Sequence, residues 1–355
     1  MTRTMKGFVF LIEFLFVIPL FGQTAFRVMS YNVENAFFPE DDPSVADEEY
    51  TPDGLHHWNY GRYYRKLRHI AQVITVAGEW DTPALVGLCE VENDSVVQHL
   101  LYRTPLRRQQ YQYCMTHGND RRGINSVLLY QRDKFALVEC NEIPVRFSRT
   151  GERPTRNILH VAGRILTSDT LDVFVVHFPS RYGGEKETMQ KRKDAAATLR
   201  NYCDSLYSVR YNAQILIMGD FNDGPDDESV RDVLGASSLS LSSAAIKEKD
   251  SLRLVNLFGG DGLKSEGSHK YHDEWNQLDQ IIVSASLLGG TSPFRYVRNS
   301  RRVLNPSFLL VEDKTWRGQR PFRSFHGFKY EGGYSDHLPL VADFVICSNG
   351  FLSLY

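Results

Sequence analysis

Residues 214–224, Gln-Ile-Leu-Ile-Met-Gly-Asp-Phe-Asn-Asp-Gly, constrain the fold more than any other stretch of the chain. A short apolar run, the length of a buried strand, stops at Gly219 and delivers Asp220 and Asn222 into a loop punctuated by Gly224 and Pro225. Asp and Asn are also ordinary turn residues, so this stretch alone leaves a polar turn and a reactive strand end equally open. Other strands decide the matter, because several end in the same way.

Phe26 to Asn35 alternates apolar and polar residues with Asn32 at its end, and an acidic, loop-like stretch follows from Pro39 to Gly54. Pro83 to Asn93 is a near-continuous apolar strand that runs into Glu90. Such a run needs cover on both faces, as in the middle of a layered sheet. Leu171 to Val176 leads directly into His177-Phe178-Pro179-Ser180-Arg181, where a histidine, a hydroxyl and an arginine share a loop stiffened by Pro179 and followed by Gly183 and Gly184. These are groups suited to handling a phosphate. Gln277 to Val283 sets Asp279 at the start of a strand, and Gly333 to Leu340 sets Asp336 and His337 just before a closing strand, Leu340 to Val345.

Between these strands, Leu67, Ile70, Val73, Ile74 and Ala77 keep helical spacing over Asn59 to Ala77, and a second amphipathic helix covers Glu187 to Leu206. Tyr111 to Met115, Ile124 to Tyr130 and Phe135 to Glu139 read as one antiparallel meander. Arg122 sits at one of its turns, where the planar guanidinium fork suits an anion. Ile158 to Leu166 and Leu171 to Val176 form an expected hairpin across Ser168 and Asp169. With no internal repeat, low-complexity tract or long linker, the chain is expected to form one α/β (α+β) domain over residues 24–355.

Residues 1–22 stand apart from that domain. Arg3 and Lys6 precede an apolar run from Phe8 to Phe21, interrupted only by Glu13 and Pro19 and too short to span a membrane. This pattern predicts a cleaved signal peptide and an exported, periplasmic or secreted, protein. Beyond it no stretch pairs an apolar face with flanking Trp or basic residues, so no stable membrane anchor is expected. The balance of 41 Lys and Arg against 43 Asp and Glu gives no overall field that would select nucleic acid or an anionic membrane. Five cysteines without CxxC or Cys/His spacing argue against a structural zinc site, while their pairing and the oligomeric state stay open.

The strand ends together supply Asn32, Glu90, Asp220, Asn222, Asp279 and Asp336, with His177 and His337 beside them. Hard oxygen donors without thiolates suit Mg²⁺, Mn²⁺ or Ca²⁺ rather than zinc or copper. Two histidines supply groups for activating a water and assisting a leaving group.

At this point the chain resembles the endonuclease/exonuclease/phosphatase superfamily, which includes deoxyribonuclease I, exonuclease III, inositol polyphosphate 5-phosphatases and neutral sphingomyelinases. The resemblance covers residues 26–346, with Tyr31-Asn32, Glu90, His177, Gly219-Asp220-Phe221-Asn222, Asp279 and Ser335-Asp336-His337 in the family order. It implies a deoxyribonuclease I-like, four-layered sandwich of two mostly antiparallel sheets flanked by helices. It also implies roles: Glu90 as principal metal ligand, helped by Asn32 and Asp336; His337 as general base oriented by Asp279; Asp220 and Asn222 on the phosphate and leaving oxygen; His177 on a phosphate oxygen. Ser180, Arg181 and Arg122 join as substrate contacts from their neighbourhood.

The favoured reading is an exported Mg²⁺-dependent phosphodiesterase acting on nucleic acid, with few-residue phosphate contacts from Arg122, Arg181, Arg149, Arg153 and Arg156. The alternatives are a lipid or small-molecule phosphoesterase and a degenerate member that only binds. Gln280 after Asp279 and the Phe178 to Gly184 loop depart from the nuclease prototypes, which leaves the substrate open.

Overall fold

The computed structural model describes residues 23–166, 169–239, 253–260, 267–289 and 292–347. The expected signal peptide lies outside the described residues, as does Ser168 of the expected hairpin turn.

Two seven-stranded sheets pack face to face. The first contains β1 (Gln23–Ala36), β2 (Leu85–Val91), β3 (Gln112–Met115) and β4 (Asn125–Tyr130), joined by Phe294–Tyr296, Arg302–Val303 and the closing strand Leu340–Cys347. The second contains β5 (Phe135–Ile143), β6 (Ile158–Ile165), β7 (Thr170–His177) and β8 (Gln214–Asp220), continued by Asp279–Ser284, Leu254–Asn256 and Ala236–Ser238. Most neighbours are antiparallel; β1 with β2, β7 with β8, and Leu254–Asn256 with Ala236–Ser238 run parallel. Helices α1 (Tyr60–Gly78) and α2 (Asp94–Tyr102) cover the first sheet, and α3 (Glu185–Val209) covers the second. The result is the four-layered sandwich that the motifs implied.

Helices α1 and α2 begin where the sequence supplies side-chain caps. Asn59 accepts the Arg62 N–H at 3.1 Å and Asn93 accepts the Val96 N–H at 3.2 Å, satisfying donors that the first helical turn leaves free. No helix among the described residues is long and apolar enough to cross a membrane.

Alternation along the strands sets the position of the site. Leu216 and Met218 of β8 join the core between the sheets, whereas Ile215 and Ile217 join the core under α3. Val173 and Val175 of β7 face inward, as do Ile281 and Val283, while Phe174, Val176 and Ile282 face α3. Successive side chains change faces, so His177, Asp220 and Asp279 continue the inward-facing rows to the mouth of the sandwich. Register then sets them side by side, with His177 paired to Asp220 and Asp220 paired to Asp279.

In the first sheet Gly87 faces inward, because a Cβ there would meet Met218 Sδ at 2.6 Å. The same parity puts Cys89 inward and Glu90 outward. A bulge reverses this: register shifts between Cys89 and Val91, and Glu90 adopts φ 67°. The carboxylate thereby turns toward the mouth.

One strand lies elsewhere than the expected meander would place it. β3 and β4 pair as expected, but β5 crosses to the second sheet and pairs with β6. All of β4 is buried, so its sequence carries no edge signal, whereas β5 is an outer edge with a run of exposed residues. The crossing brings the free thiols of Cys114 in β3 and Cys140 in β5 near one another; the influence of Cys140, with burial, pushes the Cys114 thiol up.

Candidate active site

At the mouth, three adjacent strand ends of the second sheet meet the bulged ends of β1 and β2 and the loop before the closing strand. His337 is placed by that loop: its N–H donates to Ser335 Oγ at 3.1 Å, and Ser335 Oγ–H donates to the Asn32 carbonyl at 2.7 Å. The His337 Nδ1 contact with Asp279 Oδ2 is 2.6 Å, leaving Nε2 to face Asp220 Oδ2 at 3.9 Å. Burial alone would lower the imidazolium, but the carboxylates of Asp279, Asp220 and Asp336 outweigh it and hold His337 well above the ordinary histidine range.

Asp220 is the hub. Its Oδ1 accepts the Asn222 N–H at 2.8 Å, and its Oδ2 accepts Asn32 Nδ2 at 3.0 Å with His177 Nε2 at 3.7 Å. Burial, with Asp279 directly opposite, pushes Asp220 up to about 7 despite those partners. Asn222, held at φ 50°, donates its amide to the Phe178 carbonyl at 3.0 Å. Burial drives His177 well below the ordinary range, aided by Arg156 and Arg122, so the ring is neutral.

Glu90 Oε2 accepts the Asn35 N–H at 2.9 Å, and its Oε1 faces Arg122 at 3.7 Å and His177 at 3.9 Å. Asn32 was expected to offer its oxygen to a cation, but that oxygen accepts the Glu34 N–H at 3.0 Å. The amide nitrogen faces Asp220 and Glu90 instead, so Asn32 clamps the two acids. Arg181 departs from expectation as well. It lines the cavity, yet its guanidinium pairs with Asp223, Asp227 and Glu185 at 3.2, 2.8 and 3.1 Å, so it braces the loop rather than offering a free charge. Ser180 Oγ accepts the Tyr182 N–H at 3.2 Å and also lines the cavity.

Two residues stand in the site that the motifs do not include. His269 packs its ring 4.8 Å from that of His337, and its donor atoms, those of Asp336 and those of His337 lie within 4.8 Å of one another. It comes from a three-residue strand with no periodicity to flag it. Arg156 is buried against the cavity, donating to the Phe178 carbonyl at 2.6 Å with Asp120 at 3.3 Å, while its Nε has no partner among the described residues. Glu90, His177, Asp220, Asn222, Asp336 and His337 line a cavity of about 850 Å³ with His269 and Arg156, while Asn32 and Asp279 stand behind them.

The order of the motifs extends over the whole fold. A model described as the endonuclease/exonuclease/phosphatase family matches residues 27–345. The chain belongs to that family. Members of the endonuclease/exonuclease/phosphatase family are phosphoester hydrolases, and so is the reaction class here.

Solved structures agree on the fold. An endonuclease/exonuclease/phosphatase family protein from Bacteroides thetaiotaomicron is 16% identical, covering 92% of this chain and 99% of its own at a TM-score of 0.56. A mannosyl-6-phosphatase from the same organism is 17% identical, with 90% and 99% covered and a TM-score of 0.55. D. rerio TDP2, solved with a single-strand DNA product, is 16% identical, with 90% and 99% covered and a TM-score of 0.52. No curated protein matches the sequence.

The donor set fits the divalent metals that this family uses. Glu90, Asp220 and Asp336 crowd one cavity, and the buried Asp279 Oδ1 has no partner among the described residues. Carboxylates so placed repel an anionic substrate unless a cation joins them. With His337 Nδ1 engaged by Asp279 and the Asn32 oxygen by Glu34, the oxygens of Glu90 and Asp336 are among the remaining cavity donors that would hold it, with His269 beside Asp336.

Proposed function

We propose that the protein is an exported, Mg²⁺-dependent phosphodiesterase that cuts nucleic acid. The observation that carries the chemistry is the Asp279–His337 pair aimed across the cavity at Asp220, with Glu90 and Asp336 alongside.

Glu90 and Asp336 would hold a hard dication, which would supply polarisation of the phosphoryl oxygens and offset the negative charge that holds His337 protonated. His337 Nε2 accepts the proton of the attacking water, and Asp279 keeps the ring in the tautomer that frees Nε2 and stabilises the imidazolium that forms. His177, neutral and donating, hydrogen-bonds a phosphoryl oxygen. Asp220, whose raised affinity for protons suits it to carrying one, supplies a proton to the leaving oxygen, with Asn222 N–H fixing its orientation. Arg122 and Arg156 offset phosphate charge at the cavity wall.

For nucleic acid, the supporting features are arginines beside the cavity and exposed aromatic rings at its rim, Tyr182 and Tyr271. The likeness to TDP2 with its DNA product supports the same choice. A second reading, a small-molecule phosphatase, is favoured by the likeness to the mannosyl-6-phosphatase. Assaying residues 23–355 with Mg²⁺ against single-stranded DNA, RNA, sphingomyelin vesicles and hexose 6-phosphates separates the two. Chain cleavage supports the nuclease reading; release of phosphate from sugars with both nucleic acids intact replaces it with the second.

A further inference from the structure

A second cavity of about 860 Å³ adjoins the catalytic one, and His269 and Tyr271 line both. Three short hairpins build it: His269–Tyr271 with Glu274–Asn276, Leu310–Glu312 with Gln319–Pro321, and Phe325–His326 with Lys329–Tyr330. They are cross-tied. Buried Lys270 reaches Asp313 Oδ2 at 3.0 Å and the Arg317 carbonyl at 2.7 Å, fastening the first hairpin to the second. Arg320 pairs with Glu331 at 2.8 Å, fastening the second to the third. Arg323 lines this second cavity 3.9 Å from Asp336 of the catalytic one, and its buried Nε has no partner among the described residues.

What this frame presents is aromatic and basic. Asp313 accepts the N–H groups of Thr315 and Trp316 at 3.0 and 2.9 Å and so fixes the turn that displays Trp316. The rings of Tyr271 and His272 stack at 4.0 Å and those of His272 and Trp316 lie at 4.5 Å, a continuous ladder leading away from His269 and His337. Tyr271 is 63% exposed and Trp316 47%, so the ladder is open to a ligand. Lys314 and Lys329 are exposed, line the cavity, and make no ion pair among the described residues.

We propose that this groove binds the nucleotides next to the scissile phosphate of a single-stranded nucleic acid, bases against the Tyr271–His272–Trp316 ladder and a neighbouring phosphate on Lys329 or Lys314. The inference rests on the nuclease reading and names the strand form and the subsite. Open aromatic faces take unstacked bases, which duplexes do not offer. Only two unpaired lysines stand against the exposed Glu312, so the groove grips one or two phosphates rather than a long duplex tract.

The test compares Trp316→Ala and Lys329→Glu with the wild type on a single-stranded hexanucleotide and on methyl p-nitrophenyl phosphate, a diester too small to leave the catalytic cavity. Each variant is expected to lower kcat/KM on the hexanucleotide about tenfold, through KM, and to leave the small diester unchanged. Lys329→Glu should also flatten the salt dependence by about one phosphate contact. Equal losses on both substrates, or none on either, would overturn the groove assignment. If the wild type turned over the small diester but no nucleic acid, the nuclease reading itself would fall and this inference with it. A wild type that cuts the hexanucleotide while both variants match it removes the groove alone.

Discussion

Asp279 and Asp220 stand directly opposite each other across an antiparallel ladder, two carboxylates brought together by register in a buried strand pair. Such a pair is costly unless something positive lies between its members. His337 fills that place, 2.6 Å from one and 3.9 Å from the other.

Asp279→Asn should therefore act through His337. Losing the partner at Nδ1 removes the preferred tautomer, and kcat is expected to fall about 10² to 10⁴ with little change in KM. Glu90→Gln should differ in kind, raising the Mg²⁺ concentration needed for half-maximal rate. Metal titrations of both variants check this; identical metal requirements would remove Glu90 from the cation site.

Gly219→Ala should damage the fold as well as the site. At φ 141° a Cβ would stand 1.9 Å from the Val176 carbonyl, between the two strands that carry His177 and Asp220. A loss on the order of 3 kcal/mol or more is expected in urea denaturation. A change within about 0.5 kcal/mol would show that the close strand approach is wrong.

Stability should fall as pH rises through the neutral range, in part because of Glu92. Burial pushes this carboxyl up to about 8, despite the N–H of Phe38 that it accepts. Between the reference value of 4.5 and about 8 the folded protein holds a proton that the unfolded chain has released. Raising pH through that window therefore favours unfolding, by up to about 1.4 kcal/mol per pH unit, and the slope ends above it. Glu92→Gln should flatten the decline, measured in EDTA by denaturant midpoints from pH 5 to 9. Parallel curves for variant and wild type would contradict the assignment.

The sequence exposed the second sheet's share of the site more fully than the first sheet's. In β7, β8 and Asp279–Ser284, simple alternation carries His177, Asp220 and Asp279 to one face, and the apolar runs before them are legible. Glu90 reaches the same mouth only through a bulge that no residue type announces, since a glutamate at φ 67° is not what a sequence suggests. The crossing of β5 to the other sheet was hidden because β4, fully buried, looks alike in either pairing. His269 and the groove beside it escaped for a different reason. Their strands are two or three residues long, too short for a period, and tertiary ties such as Lys270 to Asp313 hold them.

Arg181 shows the limit of reading charge from a loop. Beside His177 it suggests a phosphate clamp, but three carboxylates already surround it, contributed by α3 and by the loop after β8. Arg181→Ala is expected to lower thermal stability and loosen the Ser180 to Gly184 loop without changing the salt dependence of catalysis. A flattened salt dependence would restore it as a phosphate contact.

The central claim is that a cation-dependent, His337-assisted water attack occurs at this mouth, and the turnover of methyl p-nitrophenyl phosphate by residues 23–355 tests it independently of the natural substrate. The account predicts hydrolysis in Mg²⁺, its loss in excess EDTA, and a fall in kcat of about 10² to 10⁴ for His337→Ala at saturating metal. Full turnover in EDTA, or a His337→Ala variant with the wild-type kcat, would contradict it.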